Sequence, residues 1–212
     1  VSARNIVLRT GRSNLELDLT MDRLNIFQTA ELSLMQYHPS SLHVESTNID
    51  FYELGQFISQ VDFLDGSAGI ECDAQGEFGN LALKRLHIQS KQNSLNLTGS
   101  LRNLHRPEDL YLSLLMSNSK INGTDLSELM PLLDSAHIDR LGTATLTAEF
   151  NGKPLDFKIK SIISGTFGDI KVDGSMNLLR HPAQYSGTLA TEKLNLGQIL
   201  GNEKLQTALF AT

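Results

Sequence analysis

The side chains best suited to acid–base, nucleophilic or metal chemistry are widely spaced along the chain. The six histidines are His38, His43, His87, His105, His137 and His181. None of them has a cysteine or histidine partner at the spacing of a zinc site. His105 and His181 flank the turn prolines Pro107 and Pro182, so we expect both to be exposed structural residues. Cys72, the single cysteine, lies in an alternating stretch, which predicts a small buried hydrophobic residue rather than a nucleophile.

The acidic residues also lack the order of a catalytic or calcium-binding motif. Asp62, Asp65, Glu71 and Asp73 cluster near a predicted turn, without the DxDxDG-like run of a calcium loop. The glycines in this stretch do not form the GxGxxG phosphate cradle and are typical of turns and bulges. No Ser-His-Asp or Cys-His arrangement can be named. The sequence therefore predicts a protein that is not an enzyme and that holds no metal.

Composition and charge exclude further classes of function. The 212 residues include 18 Lys and Arg against 24 Asp and Glu, a formal charge of −6. The basic residues are scattered singly, so the basic stripe of a nucleic-acid binder is missing and we expect no nucleic-acid partner. No basic amphipathic helix and no run of about 18 apolar residues is present, and no signal peptide opens the chain.

The elements that carry these residues are predicted by alternation with a period of two. Leu15, Leu17, Leu19 and Met21 alternate with polar residues, and similar stretches recur along the chain. In a strand such residues share one face, so each stretch predicts a strand with one wet side. The predicted lining of a hydrophobic groove, for lipid or a client protein, is Leu15, Leu17, Leu19, Met21, Leu95, Leu97, Leu101, Leu110, Leu112, Leu114, Leu146, Phe150, Phe157, Ile159, Ile170, Val172 and Met176.

These stretches are copies of one another. Residues 93–107 read NSLNLTGSLRNLHRP and residues 168–182 read GDIKVDGSMNLLRHP, an offset of 75 residues. An earlier copy starts at Ser13. Residues 66–76 match residues 142–152, and the dipeptide Asn151-Gly152 predicts a hairpin turn at the end of that second strand.

A short helical motif follows one strand of each copy. It reads IDFYELGQF from Ile49, INGTDLSEL from Ile121 and LNLGQIL from Leu194. We expect one or two helical turns there, capped in the second copy by Thr124 or Asp125 and interrupted by Pro131.

The unit is thus about four strands and one helical turn, in a single segment over residues 1–212. We expect residues 1–12 to end a preceding unit, with further units over 13–92, 93–167 and an incomplete 168–212. Both ends of the chain resemble the inside of a strand, which indicates a piece of a longer array. We therefore expect the isolated piece to self-associate through its edge strands.

About eleven predicted strands carry an apolar stripe, but only three short helical turns could cover them. The sheet must fold over as a sandwich, a barrel or a curled trough. The lining is aliphatic, with no tryptophan, which suits acyl chains. A repeat that extends by whole units favours a trough, whereas a packed sandwich stays open as the alternative.

The glycine-bearing strands SLNLTGSL and IKVDGSM, the proline turn, and the strand that leads into LNLGQIL together resemble the AsmA-like and TamB-like family of bacterial envelope proteins. The resemblance covers nearly the whole chain. It implies an all-β, long, curled antiparallel sheet, open along one side, with a hydrophobic interior. It also implies a periplasmic location in a Gram-negative bacterium, with the parent protein anchored in the inner membrane.

For function, the resemblance implies phospholipid transfer between the two membranes, assembly of outer-membrane β-barrel proteins, or both. The expected partners are phospholipid and outer-membrane proteins or their assembly factors. We expect no cofactor other than a bound phospholipid or fatty acyl chain. The alternative is a dry-cored structural or adhesive β-sandwich repeat that binds proteins.

Overall fold

The structure, a computed structural model, describes residues 2–22, 24–25, 27, 34–57, 61–131, 138–180, 182–195, 197, 199 and 208–211. These residues form one sheet of twelve strands in which each strand pairs antiparallel with its neighbours in sequence, in the order β1 to β12. The strands are β1 (Ser2–Arg9), β2 (Asn14–Met21), β3 (Pro39–Asp50), β4 (Ser67–Glu77), β5 (Asn80–Ser90), β6 (Asn93–Arg102), β7 (Tyr111–Asn122), β8 (Thr143–Lys153), β9 (Asp156–Gly165), β10 (Gly168–Asn177), β11 (Gln184–Asn195) and β12 (Ala208–Ala211).

The sheet is an unclosed meander, because β1 and β12 lie at its two edges. The prediction of an all-β antiparallel fold with few helices is confirmed. Short α-helices follow the 12-residue strands β3 and β7: α1 (Phe51–Gly55) and α2 (Gly123–Leu129). Short 3-10 helices span Met35–Tyr37, Pro107–Asp109 and Ile138–Leu141. Among the described residues, no helix combines the length and apolar composition that crossing a bilayer requires.

The element order of residues 39–102 recurs in residues 111–177. Each stretch holds a strand, an α-helix and three further strands, and a 3-10 helix precedes β8 in the second. The predicted units begin and end at other elements of this repeated order than the two stretches do. Their boundaries stay a prediction.

The helix caps differ from the prediction. The side chain of Asp50 accepts a hydrogen bond from the amide of Glu53, and that of Asn122 accepts one from the amide of Asp125 at 3.1 Å. Thr124 or Asp125 as the cap is therefore wrong. The cap is the last strand residue in both copies, where the backbone is still extended and the side chain can reach back to the third helical residue. Helix α2 ends at Leu129, because Met130, the residue before Pro131, leaves the helical conformation with a φ of −129° and a ψ of 77°.

The hairpin between β8 and β9 is also placed differently. Asn151 and Gly152 lie inside β8 and pair with Lys158 and Phe157, so the predicted turn at Asn151-Gly152 is wrong. The turn lies three residues later, at Pro154 and Leu155. Proline has no amide hydrogen to donate to the ladder, which favours the turn at this point.

Bulges keep the apolar side chains on one face at positions where strict alternation would place them on the opposite face. In β7 the register shifts between Met116 and Ser119, and Asn118 has a φ of +48°. Ile121 therefore shares a face with Leu114, although seven residues separate them. Strand β11 has a similar shift between Thr191 and Leu194. A bulged strand bends and twists more strongly than a regular one.

Two clusters of buried apolar side chains lie along the sheet. One joins Cys72 and Ala74 of β4 to Leu81 and Leu83 of β5, and includes neighbours from β3 to β7. The other is built around Phe167, in the turn between β9 and β10, and includes side chains from β6 to β11. Both clusters therefore extend over consecutive strands of the same sheet.

Candidate functional site: the apolar face of the sheet

The strand register places nearly all of the predicted groove residues on one face of the sheet, here called the apolar face. Directly paired residues of an antiparallel sheet point to the same side. The pairing links every predicted residue except Leu110 to this face. Leu110 lies in the connection before β7, so no pairing assigns it to a face. Whether these side chains contact lipid or a client stays a prediction.

Two continuous rows of paired residues cross the sheet from β1 to β11. The row through Leu97, here called the Leu97 row, is Ile6, Leu17, Val44, Cys72, Leu86, Leu97, Met116, Ala148, Ser161, Val172 and Leu189. The neighbouring row is Ala3, Leu19, Leu42, Ala74, Leu83, Gly99, Leu114, Phe150, Ile159, Gly174 and Gly187. Ser161 is the single polar side chain in these two rows. The sheet thus presents an apolar band perpendicular to its strands, which one serine interrupts.

Most side chains of this face are half-buried. Met21 and Leu97 are buried among the predicted groove residues, and Met176 is exposed. Toward β11 the accessibility rises, since Leu189 of the Leu97 row is 58% exposed. The face is therefore neither uniformly packed nor uniformly open.

The surface area of the chain is large for its mass. The chain exposes 13091 Å². A compact folded monomer of this mass exposes roughly 9,700 Å². A sheet with one apolar face that is not fully covered by a second layer explains an excess of this kind.

Two glycines of the face allow neighbouring backbones to approach closely. Gly99 has a φ of +147°, and a Cβ there would overlap the carbonyl oxygen of Ser113 in the next strand. Gly152 has a φ of +148°, and its Cβ would overlap the carbonyl oxygen of Asp156. No other residue type fits such a conformation and such a close approach of backbones.

The helices are tied to the hairpin turns at one rim of the sheet, here called the helical rim. At α2, the carboxylate of Asp125 accepts a hydrogen bond from the amide of Gln92 at 2.7 Å, and the amide of Asn122 donates to Asn93 at 2.7 Å. At α1, the hydroxyl of Ser13 donates to Glu53 at 2.5 Å.

The contact at α1 also favours the charged form of a carboxyl group at the helical rim. Hydrogen bonds from Ser13 and Thr10 hold the pKa of the Glu53 carboxyl below its ordinary value. The short helices are thus attached to the rim of the sheet by hydrogen bonds to its hairpin turns.

The opposite face of the sheet carries the charged residues in cross-strand pairs. Nδ1 of His43 lies 2.7 Å from Oδ1 of Asp73, and Arg85 bonds both Asp73 and Glu71. The hydrogen bond from His43, with help from Arg85, lowers the pKa of Asp73. Further along the sheet, Lys160 pairs with Asp173 and Lys171 with Glu192. This face also holds a hollow of about 290 Å³ beside the exposed Leu115 and Ile162.

The structure tests the predictions made for the cysteine and for part of the histidines. Cys72 is buried as predicted, and burial raises the pKa of its thiol. His105 is half-buried, and its Nδ1 is enclosed without a hydrogen-bond partner, so the prediction of an exposed residue is wrong for it. The turn backbone folds back here, since the amide of Arg106 donates to the carbonyl of Asn103. His181 and His137 lie outside the described residues. Among those described, no group of three or more metal-ligating side chains exists.

Sequence reasoning missed part of the apolar face. Strand β5 contributes Leu81, Leu83, Leu86 and Ile88, which were not among the predicted lining. A bulge between Leu83 and Leu86 interrupts the alternation of apolar and polar residues. The apolar stripe of this strand was therefore not recognised in the sequence. The repeat itself was the signal that could have found them, because every other strand of the unit carries such a stripe.

Comparison of the chain with protein-family models, with curated proteins and with solved structures finds no match. The fold and the apolar face are therefore the basis for a functional proposal.

Proposed function

We propose that this chain is a non-catalytic segment of a hydrophobic β-groove in a bacterial envelope protein, and that it carries phospholipid acyl chains between the inner and outer membranes. The groove is the apolar face, curled on itself by bulges and glycines. The parent protein is periplasmic and anchored in the inner membrane. The observation that supports this most is the Leu97 row, which continues through eleven strands with one polar side chain.

The energetics of such a row suit movement along it. Each buried CH₂ of an acyl chain gains about 0.8 kcal/mol on leaving water. Neighbouring positions of the row offer similar aliphatic contacts, so no single position becomes a deep trap. At about 4.8 Å between neighbouring strands, the eleven strands of the row give a band roughly 48 Å long.

The alternative of a dry-cored sandwich has less support. A sandwich buries its apolar faces against each other, about 10 Å apart. Both buried clusters extend over consecutive strands, and Met176 and Leu189 of the apolar face are exposed. The surface area of the chain also exceeds that of a compact monomer.

A charge placed on the apolar face tests the proposal. Val172 is a half-buried member of the Leu97 row, and Thr147 is exposed on the opposite face. We expect Val172→Asp to abolish retention of phospholipid by the purified chain, measured by native mass spectrometry. Val172→Ile and Thr147→Asp are the matched controls and should retain lipid like the parent chain. Equal lipid retention by a Val172→Asp variant with unchanged circular dichroism contradicts the proposal.

A second candidate function, assistance in outer-membrane protein assembly, is favoured by the edge of the sheet. In the part of the chain that the structure describes, β1 pairs with β2 alone, and its Ile6, Val7 and Leu8 are 41–52% exposed. An edge strand of this kind can pair with a client strand or with a second copy of the chain. Photocrosslinkers at Val7 should then label nascent β-barrel proteins. Labelling of lipid alone would count against a role in assembly.

A further inference from the structure

A pocket of about 660 Å³ lies at the helical rim, between α1, the segment from Val61 to Gly66 and the end of α2. Its size is within the range of small-ligand sites. The lining is Phe51, Tyr52, Gln56, Asp62, Phe63, Leu64, Asp65 and Pro131. The pocket belongs neither to the apolar band nor to the charged pairs on the opposite face.

Backbone hydrogen bonds hold the walls of this pocket together. The amide of Phe51 donates to the carbonyl of Gly66 at 2.9 Å, which joins α1 to the start of β4. The amide of Asp65 donates to the carbonyl of Leu129 at 2.9 Å, which joins the segment to α2. The amide of Gly66 donates to Oδ1 of Asp65 at 2.7 Å, so this carboxylate is fixed in place. Three separate segments therefore build one concave wall.

The lining combines aromatic rings with negative charge. Phe51, Tyr52 and Phe63 supply three rings, and Asp62 and Asp65 supply two carboxylates. Among the described residues, no lysine, arginine or histidine lines the pocket or pairs with either carboxylate. Tyr52 already has the guanidinium of Arg12 at 6.0 Å from its ring centroid. Aromatic rings together with carboxylates form the environment that stabilises an alkylated or primary ammonium group.

The pocket lies beside one end of the apolar face. Phe51 follows the last residue of β3, and Ile49 of that strand pairs with the buried Ala68 of β4. A head group held in the pocket would leave its acyl chains next to the apolar band. An anionic head group would meet the two carboxylates of the lining there.

We propose that this pocket binds the ammonium head group of a phospholipid, ethanolamine or choline, while the acyl chains lie on the apolar face. This inference rests on the proposed function and adds the class of head group to it. It predicts that the chain selects zwitterionic over anionic phospholipid.

Competition between two lipids tests the inference. The purified chain is mixed with equal amounts of phosphatidylethanolamine and phosphatidylglycerol that have the same acyl chains, and the retained lipids are measured by mass spectrometry. We expect about fivefold enrichment of phosphatidylethanolamine, the size of effect that a cation held by rings and carboxylates gives. The double variant Asp62→Asn and Asp65→Asn, and separately Tyr52→Leu, should return the ratio to that of the mixture. Asparagine at 65 keeps the oxygen that accepts the hydrogen bond from Gly66.

The control variant is Asp156→Asn, which removes an exposed carboxylate at the opposite rim and should keep the enrichment. Retention of both lipids in equal amounts by the parent chain overturns the head-group inference and leaves the proposed function intact. Retention of neither lipid overturns the proposed function and the inference that rests on it. A loss of enrichment in Asp156→Asn equal to that in the double variant would show general charge attraction and would also overturn the inference.

Discussion

The apolar face differs between its middle, over β4 and β5, and its far part, over β10 and β11. Leu81 is fully buried in the middle, and Leu83 is 3% exposed. In the far part, Met176 is 38% exposed and Leu189 is 58% exposed. Both parts have the same alternating pattern, so alternation alone does not distinguish a packed floor from an accessible one.

The size of neighbouring side chains explains the difference. In the middle, the leucines of β5 pack with Cys72 and Ala74 of β4, and Leu104 of the following connection packs against the same cluster. In the far part, Gly174 pairs with Gly187, so two adjacent positions of the face carry no side chain. The middle of the face is therefore packed more tightly, and the far part is more accessible to an acyl chain.

Truncation of one leucine in each part should give the largest difference in unfolding free energy between the two parts. Leu81→Ala leaves a cavity among buried neighbours and should cost about 2–5 kcal/mol of unfolding free energy. Leu189→Ala removes an exposed side chain and should stay within about 0.5 kcal/mol of the parent chain. Urea denaturation measures both. Similar losses in the two variants would contradict the division of the face into a floor and an accessible part.

Glycine substitution tests whether the close approach of β6 and β7 depends on the absence of a side chain at Gly99. Gly99→Ala places a Cβ against the carbonyl of Ser113 and should cost about 1–3 kcal/mol. A Cβ at Gly11 would meet no heavy atom within 4 Å, so Gly11→Ala is the control and should have little effect. Thermal unfolding of the two variants compares them. An unchanged Gly99→Ala variant would show that the strands have room to separate.

The helix caps are expected to have smaller effects. Asn122→Ala removes the acceptor for the amide of Asp125 and should cost about 1 kcal/mol. Asn122→Asp keeps an acceptor and should restore most of the loss, as measured by urea denaturation. Failure of aspartate to restore stability would mean that the side-chain cap is not what stabilises α2.

The charged face should give the smallest effect, and it should appear in acid. The pKa of Asp73 is lowered in the folded chain, so its contribution is present above the ordinary value of 3.8 and is lost as the pH falls through the lowered pKa. Asp73→Asn should therefore flatten the acid limb of a plot of stability against pH. Because the carboxylate is exposed, we expect the change to be small. Compared with Glu71→Gln, Asp73→Asn should lower the unfolding free energy more at neutral pH than at acid pH. A larger loss at acid pH would contradict this prediction.

The sequence predicted much of this fold and less of the face. Strand existence followed from alternation and from the repeat, since residues 14–21, 93–102 and 168–177 are all strands. Bulges could not be predicted, because the unpaired residues at 84–85 and 117–118 carry no special pattern. The caps were misplaced because polar residues inside the helical motif competed with Asn122 as candidates. Burial could not be predicted either, since Leu81 and Leu189 each lie between a polar residue and an alanine in sequence and have opposite exposure.

The most direct measurement of the proposed groove compares two adjacent residues of β11. Leu189 belongs to the apolar face, and Thr188 points to the opposite one, where it pairs with Asp173. A photocrosslinking amino acid is placed at each position in turn, and the chain is loaded with phospholipid before illumination. Position 189 should label acyl chains and position 188 should not. If folded variants label neither position, or label both equally, the apolar face is not a lipid groove.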